Sequence, residues 1–283
     1  MTHKNGAHEK AIKALEEHGF LFQQRCLAEI RNGAQSYLFE SEEYPVSISE
    51  EETSIDFVFR TRAGAQTYLI FECKRVNPDY LSWLFFRPKS QSTATFLSTK
   101  IDFSGRAINE FWLQTATLDL FSGKENPYVS GGLELSEREG KSARPGRTSR
   151  TTAIQEACQQ VLTGVGGLAL EHYEWRGRQE STGPWYYLPI VLTTANLLLT
   201  EFDESEIGLR TGQLPISKAN TKSVDWVVLT FPVRGSLQVT KPTHSAYYPC
   251  GPSDDFRLRF KVKSVAIVRG EKVLDFLRSI VLP

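Results

Sequence analysis

The segment from Gln66 to Lys74, QTYLIFECK, constrains the fold more than any other stretch of this chain. Tyr68, Leu69, Ile70 and Phe71 stand in succession, so the strand they predict is apolar on both faces and needs cover on both. A strand buried on two sides belongs inside a sheet with a layer packed against each face, which is an α/β architecture. The run then ends in charge, at Glu72-Cys73-Lys74. Side chains two apart share a face, so Glu72 and Lys74 point together while Phe71 and Cys73 point into the opposite layer. Charges closing such an apolar run are costly to bury unless they are paired or hold a cation.

The preceding segment, Ser54 to Arg62, is rich in β-formers, and Ala63-Gly64-Ala65 supplies a turn. The two segments therefore read as an antiparallel hairpin, ended by Pro78, with Asp56 brought beside Glu72 and Lys74. Two carboxylates and an ammonium on one patch suit phosphodiester hydrolysis. Carboxylate oxygens hold Mg²⁺, a metal-bound water is a better nucleophile, and a lysine orients or helps deprotonate that water. The bare acid-x-Lys tripeptide recurs at Glu139-Gly140-Lys141 in a polar loop, so the apolar strand before Glu72 is what singles out the first copy. A structural ion-pair network of Asp56, Glu72 and Lys74 is the competing reading.

Elsewhere, apolar spacing predicts a helix over residues 8 to 32, interrupted at Gly19. Acid-rich Glu40 to Glu52 reads as a largely solvated loop around the extended piece Tyr44 to Ser49. Asn109 to Phe121 has helical spacing. A helix capped by Thr151 or Thr152 runs through Leu162 and closes at the Gly164-Val165-Gly166-Gly167 run. Strands follow at Tyr186 to Leu192, Val224 to Pro232 and Arg257 to Val268, then a last helix from Glu271 to Ile280. One domain over residues 1–283, with an insertion at about 79–150, is the simplest organisation.

The Asp…Glu-x-Lys arrangement resembles the PD-(D/E)XK nuclease superfamily, the restriction-endonuclease-like fold. That resemblance implies an α-β-β-β-α-β core, a mixed sheet flanked by helices, here with insertions. It implies a magnesium-dependent phosphodiesterase site in which Asp56, Glu72 and Lys74 are catalytic and Asp56 and Glu72 hold the metal. Family members often carry a glutamate on the first helix. Here Gly19-Phe20-Leu21-Phe22-Gln23-Gln24 sets Gln23 at that position, with Glu29 farther along as an alternative acid. Gln155 or Gln159 would match the glutamine many members place on the helix after the core strands. The resemblance covers residues 10 to 76 and, more loosely, 151 to 168.

Function then reads as metal-dependent hydrolysis of DNA phosphodiester bonds, with Mg²⁺ as cofactor and Mn²⁺ as its substitute. A catalytically silent nuclease-like subunit that binds nucleic acid or serves assembly is the alternative. RNA as substrate, strand specificity and homo-oligomer formation are left open by the residues. The formal net charge is zero, yet residues 1–56 carry −6 and residues 57–100 carry +5, so the positive block surrounds the proposed site. Binding a polyanion depends on that local field rather than on the sum. Arg138, Lys141, Arg144, Arg147 and Arg150 form a further basic loop suited to nucleic-acid backbone contact, or a plain surface insertion. The aromatic run Tyr80 to Phe86 reads as core or a partner interface, with base stacking as the functional alternative.

The longest apolar stretch, Tyr186 to Leu199, is interrupted by Pro189, Thr193, Thr194 and Asn196, which argues against a membrane span. Cys26, Cys73, Cys158 and Cys250 form no C-x-x-C pair and the histidines do not cluster, so a zinc site has no support. Scattered thiols without a signal peptide fit a cytoplasmic protein, each thiol acting as a small buried hydrophobe. His172 and His244 show no partner in the sequence.

Overall fold

A computed structural model of the chain describes residues 3–48, 51–76, 81–91, 95–102, 112–121, 125–135, 152–176, 183–232 and 262–283. Two helices lead, α1 (His3–Glu17) and α2 (Phe20–Gly33). The break between them falls at Gly19, whose φ of +80° is left-handed and carries no Cβ penalty in glycine. Three strands follow, β1 (Tyr37–Ile48), β2 (Glu51–Thr61) and β3 (Gln66–Lys74). The chain continues through β4 (Ser82–Pro88), β5 (Phe96–Asp102), β6 (Trp112–Leu118), β7 (Tyr128–Val129) and β8 (Gly131–Leu135). After the long helix α3 (Ala153–Arg176) come β9 (Trp185–Thr193), β10 (Asn196–Phe202), β11 (Asn220–Val224) and β12 (Trp226–Pro232). The last elements are β13 (Val262–Arg269) and α4 (Val273–Ser279).

Among the described residues the strands form two mixed sheets. The larger has the order β1-β2-β3-β9-β13-β12-β7, with β5 also pairing β9 and β6 outside β5. The smaller has the order β11-β10-β4-β8. β1, β2 and β3 are successive antiparallel neighbours, whereas β3 and β9 run parallel from Gln66–Trp185 to Lys74–Thr193. The crossover between those two strands contains α3. The order from α2 is therefore helix, three antiparallel strands, a stretch with its own strands, helix and parallel strand. Strands of the expected insertion do not segregate: β5, β6 and β7 join the larger sheet, while β4 and β8 join β10 and β11.

Each face of the larger sheet has its own apolar core. On one, Ile154, Ala157, Val161 and Val165 of α3 pack with Ile55, Ile70 and Val191, joined by Trp83 and Phe85 of β4. On the other, Cys26, Leu27 and Ile30 of α2 and Phe276 and Leu277 of α4 pack with Phe57, Phe71 and Ile190. This is the double burial that QTYLIFECK demands: Thr67 through Phe71 are all buried. Among the described residues no helix is long and apolar enough to cross a membrane.

Three local expectations are corrected. Of the acid-rich Glu40 to Glu52, the described residues 40–48 and 51–52 are not loop but strand in the β1–β2 ladder. Tyr44 and Val46 turn inward to the α3 side, and the acids occupy the outer positions of an edge strand, where Pro45 is tolerated because no further strand needs its missing N–H. Within Asn109 to Phe121, the described residues 112–118 are strand and not helix: they pair antiparallel with β5, and cross-strand pairing overrides the helical spacing. Helix α3 does not close at its glycines. A Cβ at Gly164 would lie 2.8 Å from Ile55 Cγ1 and one at Gly167 would lie 2.6 Å from Val46 Cβ. Those glycines let the helix approach the sheet, and it runs on to Arg176.

Candidate active site

The β2–β3 ladder is regular from Arg60–Tyr68 to Phe57–Phe71 and stops there. One residue farther along β2 is Asp56, and one farther along β3 is Glu72. Phe57 belongs to the core under α2 while Ile55 belongs to the core under α3, so β2 turns its faces over at Asp56. With the ladder opened, the Asp56 side chain takes the place of a strand partner: the Cys73 N–H donates to Asp56 Oδ2 at 2.5 Å. The end of β3 is tied to the β9–β10 turn, where Thr194 N–H donates to the Lys74 carbonyl at 3.3 Å and Val76 N–H to Thr194 Oγ1 at 3.0 Å.

Glu72 is buried, Asp56 half-buried, and Lys74 25% exposed at its side chain. Burial raises the Asp56 carboxyl to about 6, helped by the Glu43 charge and opposed by the Cys73 N–H and Lys74. Burial likewise raises Glu72 to about 8, with the Asp56 and Glu43 charges pushing the same way and Lys74 pulling it down. Two carboxylates held this way are compensated only in part by Lys74. That is the donor chemistry a hard divalent cation satisfies, using one or two carboxylates and keeping several waters. Among the described residues no three His, Cys, Asp or Glu side chains are grouped to form a fuller ligand set. Asp56 and Glu72 would hold such a cation.

Of the supporting residues, Gln23 reaches the site. Its Nε2 donates to Glu43 Oε1 at 2.5 Å and lies 3.5 Å from the Asp56 carbonyl oxygen. Glu29 instead pairs with Arg25 one helical turn away, at 2.7 Å, on an exposed face. Neither Gln155 nor Gln159 hydrogen-bonds to the three site residues: Gln155 caps back to Thr152 through its backbone, and Gln159 Nε2 is 3.5 Å from Thr163 Oγ1. The α3 residue that does reach in is Glu156, whose Oε2 lies 3.7 Å from Lys74 Nζ. Glu43 and Glu156 were both missed from sequence. The first sat in a run of acids read as loop, and the second is one step of helical phase from the residue chosen.

The remaining expectations sort as follows. Trp83 and Phe85 are fully buried in the core, so they are not stacking platforms. His172 is a core histidine with partners: Nδ1 lies 3.0 Å from the Tyr187 hydroxyl, and its ring packs against Tyr68 and Trp185. Burial pushes the Cys73 thiol well up, with the Cys26 thiol beside it, and pushes Cys158 up as well, so these behave as apolar side chains. Arg138, Lys141, Arg144, Arg147 and Arg150 lie outside the described residues, as do Pro78, His244 and Cys250. No family model, curated protein or solved structure matches the chain.

Proposed function

We propose that this chain is a Mg²⁺-dependent nuclease that hydrolyses DNA phosphodiester bonds, with a site of the PD-(D/E)XK kind. The observation that carries the reading is the meeting of Asp56 and Glu72, two carboxylates raised by burial, with Lys74 at the end of a doubly buried strand. With the intervening β4–β8 set aside, the order α2-β1-β2-β3-α3-β9, with β3 parallel to β9, supports the same reading, since it matches the α-β-β-β-α-β order of that superfamily.

A bound Mg²⁺ supplies positive charge to the phosphate and acidifies a water. The chain's own groups prepare for this. The Cys73 N–H fixes the Asp56 carboxylate, and Glu156 holds Lys74 Nζ over the carboxylate patch. There the lysine orients the attacking water and offsets charge that grows on the phosphate oxygens. Gln23 in place of an acid favours one second reading, a subunit that binds nucleic acid without cutting it.

Supercoiled plasmid tests both. Cleavage in Mg²⁺ or Mn²⁺ but not in EDTA, abolished by Lys74→Ala with an unchanged melting curve, is the expected result; a parallel RNA substrate reads the class of nucleic acid. Cleavage that survives Lys74→Ala overturns the site. Metal-dependent binding with no cleavage of either substrate supports the second reading.

A further inference from the structure

Glu43 has no role in the site described so far, yet its surroundings are those of the site. Register places it: β1 and β2 pair Glu42 with Phe57 and Tyr44 with Ile55, so Glu43 stands across from Asp56. Like charges directly opposite on a ladder repel. Here an amide ties the two strands beside the charges, since Gln23 Nε2 donates to Glu43 Oε1 at 2.5 Å while lying 3.5 Å from the Asp56 backbone carbonyl oxygen. The backbone is distorted to allow it. Among the described residues Glu43 alone, glycines aside, has a positive φ, at +46°. Side-chain-bearing residues adopt that region sparsely, and it persists where surrounding structure holds it. A glycine would fit this backbone more easily and would lose the carboxylate. The Glu43 charge also acts on both Asp56 and Glu72.

We propose that Glu43 is a positioning residue for the divalent cation: from the edge strand β1 it supplies negative charge beside Asp56 and Glu72 and fixes the Gln23 amide of α2. The proposal rests on the reading of Asp56 and Glu72 as the cation's carboxylates. Glu43 need not touch the ion. Its charge deepens the negative potential that draws a cation to the pair, and its hold on Nε2 fixes the plane of the Gln23 amide. Such outer partners govern affinity because they orient the inner ones.

Mn²⁺ binding, followed by calorimetry or by the electron paramagnetic signal of the free ion, tests this without any turnover. Glu43→Gln and Glu43→Gly are expected to bind Mn²⁺ about ten- to a hundredfold more weakly than wild type. Glu43→Gly is expected to melt no lower than wild type, which separates loss of charge from loss of fold. The exchange Gln23→Glu with Glu43→Gln restores the charge on α2 and reverses the hydrogen bond, and it is expected to recover most of the affinity. Glu42→Gln, removing a neighbouring acid that is exposed like Glu43 but lies 4.0 Å from Arg31, is expected to change little. Wild-type affinity in Glu43→Gln and Glu43→Gly overturns the inference, as does an equal loss in Glu42→Gln. A wild-type chain that binds no Mn²⁺ overturns the reading of the site itself; binding that ignores Glu43 overturns the inference alone.

Discussion

Replacing Glu72 by glutamine removes an ionised group from a buried position and keeps its shape. In the metal-free protein that substitution is expected to stabilise the fold at pH 8. Burial and the Asp56 and Glu43 charges raise Glu72 from 4.5 to about 8. At 1.36 kcal/mol per unit the ceiling on the penalty is about 5 kcal/mol, reached once the carboxyl is ionised in the folded state. Relaxation and water penetration around Asp56 and Lys74 bring the gain expected from Glu72→Gln to about 1–3 kcal/mol.

The sign with pH follows from proton counts. Below about pH 4 the carboxyl is protonated in both states and contributes nothing. Between 4.5 and about 8 the unfolded chain has released the proton while the folded chain keeps it, so stability falls as pH rises. Asp56, raised from 3.8 to about 6, adds a smaller fall in the same direction over the lower part of that window. Urea unfolding in EDTA at pH 5, 6.5 and 8 reads this directly: wild type declines across the series and Glu72→Gln declines less. Saturating Mg²⁺ at a hundred times its dissociation constant restores about 2.7 kcal/mol to wild type at pH 8 and little to the variant. A Glu72→Gln protein less stable than wild type at pH 8 in EDTA, or two parallel pH profiles, refutes the charge-burial argument.

Three further outcomes are expected. Gly167→Ala gains about 1 kcal/mol of helix propensity but sets a methyl 2.6 Å from Val46 Cβ; overpacking of about 1–3 kcal/mol should outweigh the gain, giving a lower melting temperature. Arg87 is buried, its guanidinium bonded to Glu201 and to the Asn126 carbonyl, so Arg87→Ala should lose about 3 kcal/mol in denaturant unfolding, and a loss under about 1 kcal/mol would show the network to be ornamental. Glu156→Gln breaks a half-exposed pair with Lys74; stability should move by less than about 1 kcal/mol, while plasmid cleavage slows without vanishing, in contrast to Lys74→Ala.

What the sequence made legible follows from how local each signal is. QTYLIFECK announces its double burial residue by residue, and the Ala63-Gly64-Ala65 turn fixes which strand it pairs with, which brings Asp56 and Glu72 to the same end of the hairpin. Gly19 ends a helix through its own backbone, again a local matter. The misses are all set from elsewhere in the chain. Trp112 to Leu118 takes its conformation from β5, and Gly164 and Gly167 take their purpose from Ile55 and Val46, more than a hundred residues earlier. Glu43 is the instructive case. Charge density marks it as solvated, and it is exposed, yet Tyr44 and Val46 beyond it carry the period-two pattern of a strand; no count of acids shows that a glutamine on α2 will bond its carboxylate.

The candidate site lies where the β2–β3 ladder ends, and the two facts are connected. A strand whose side chains alternate strictly between two apolar cores has no position for a charge. At Asp56 the strand changes faces, with Phe57 in one core and Ile55 in the other, and the β2–β3 ladder ends at the same point. The opened backbone frees the Cys73 N–H, and a carboxylate is the strongest acceptor available to take it. Opposite, Glu43 makes the matching distortion on β1. Regular pairing through both positions would form a steadier sheet and would turn these carboxylates apart. Irregularity that lowers the stability of the metal-free fold is therefore the same irregularity that gathers the acids, which is why removing Glu72 is expected to strengthen the fold as it disarms the site.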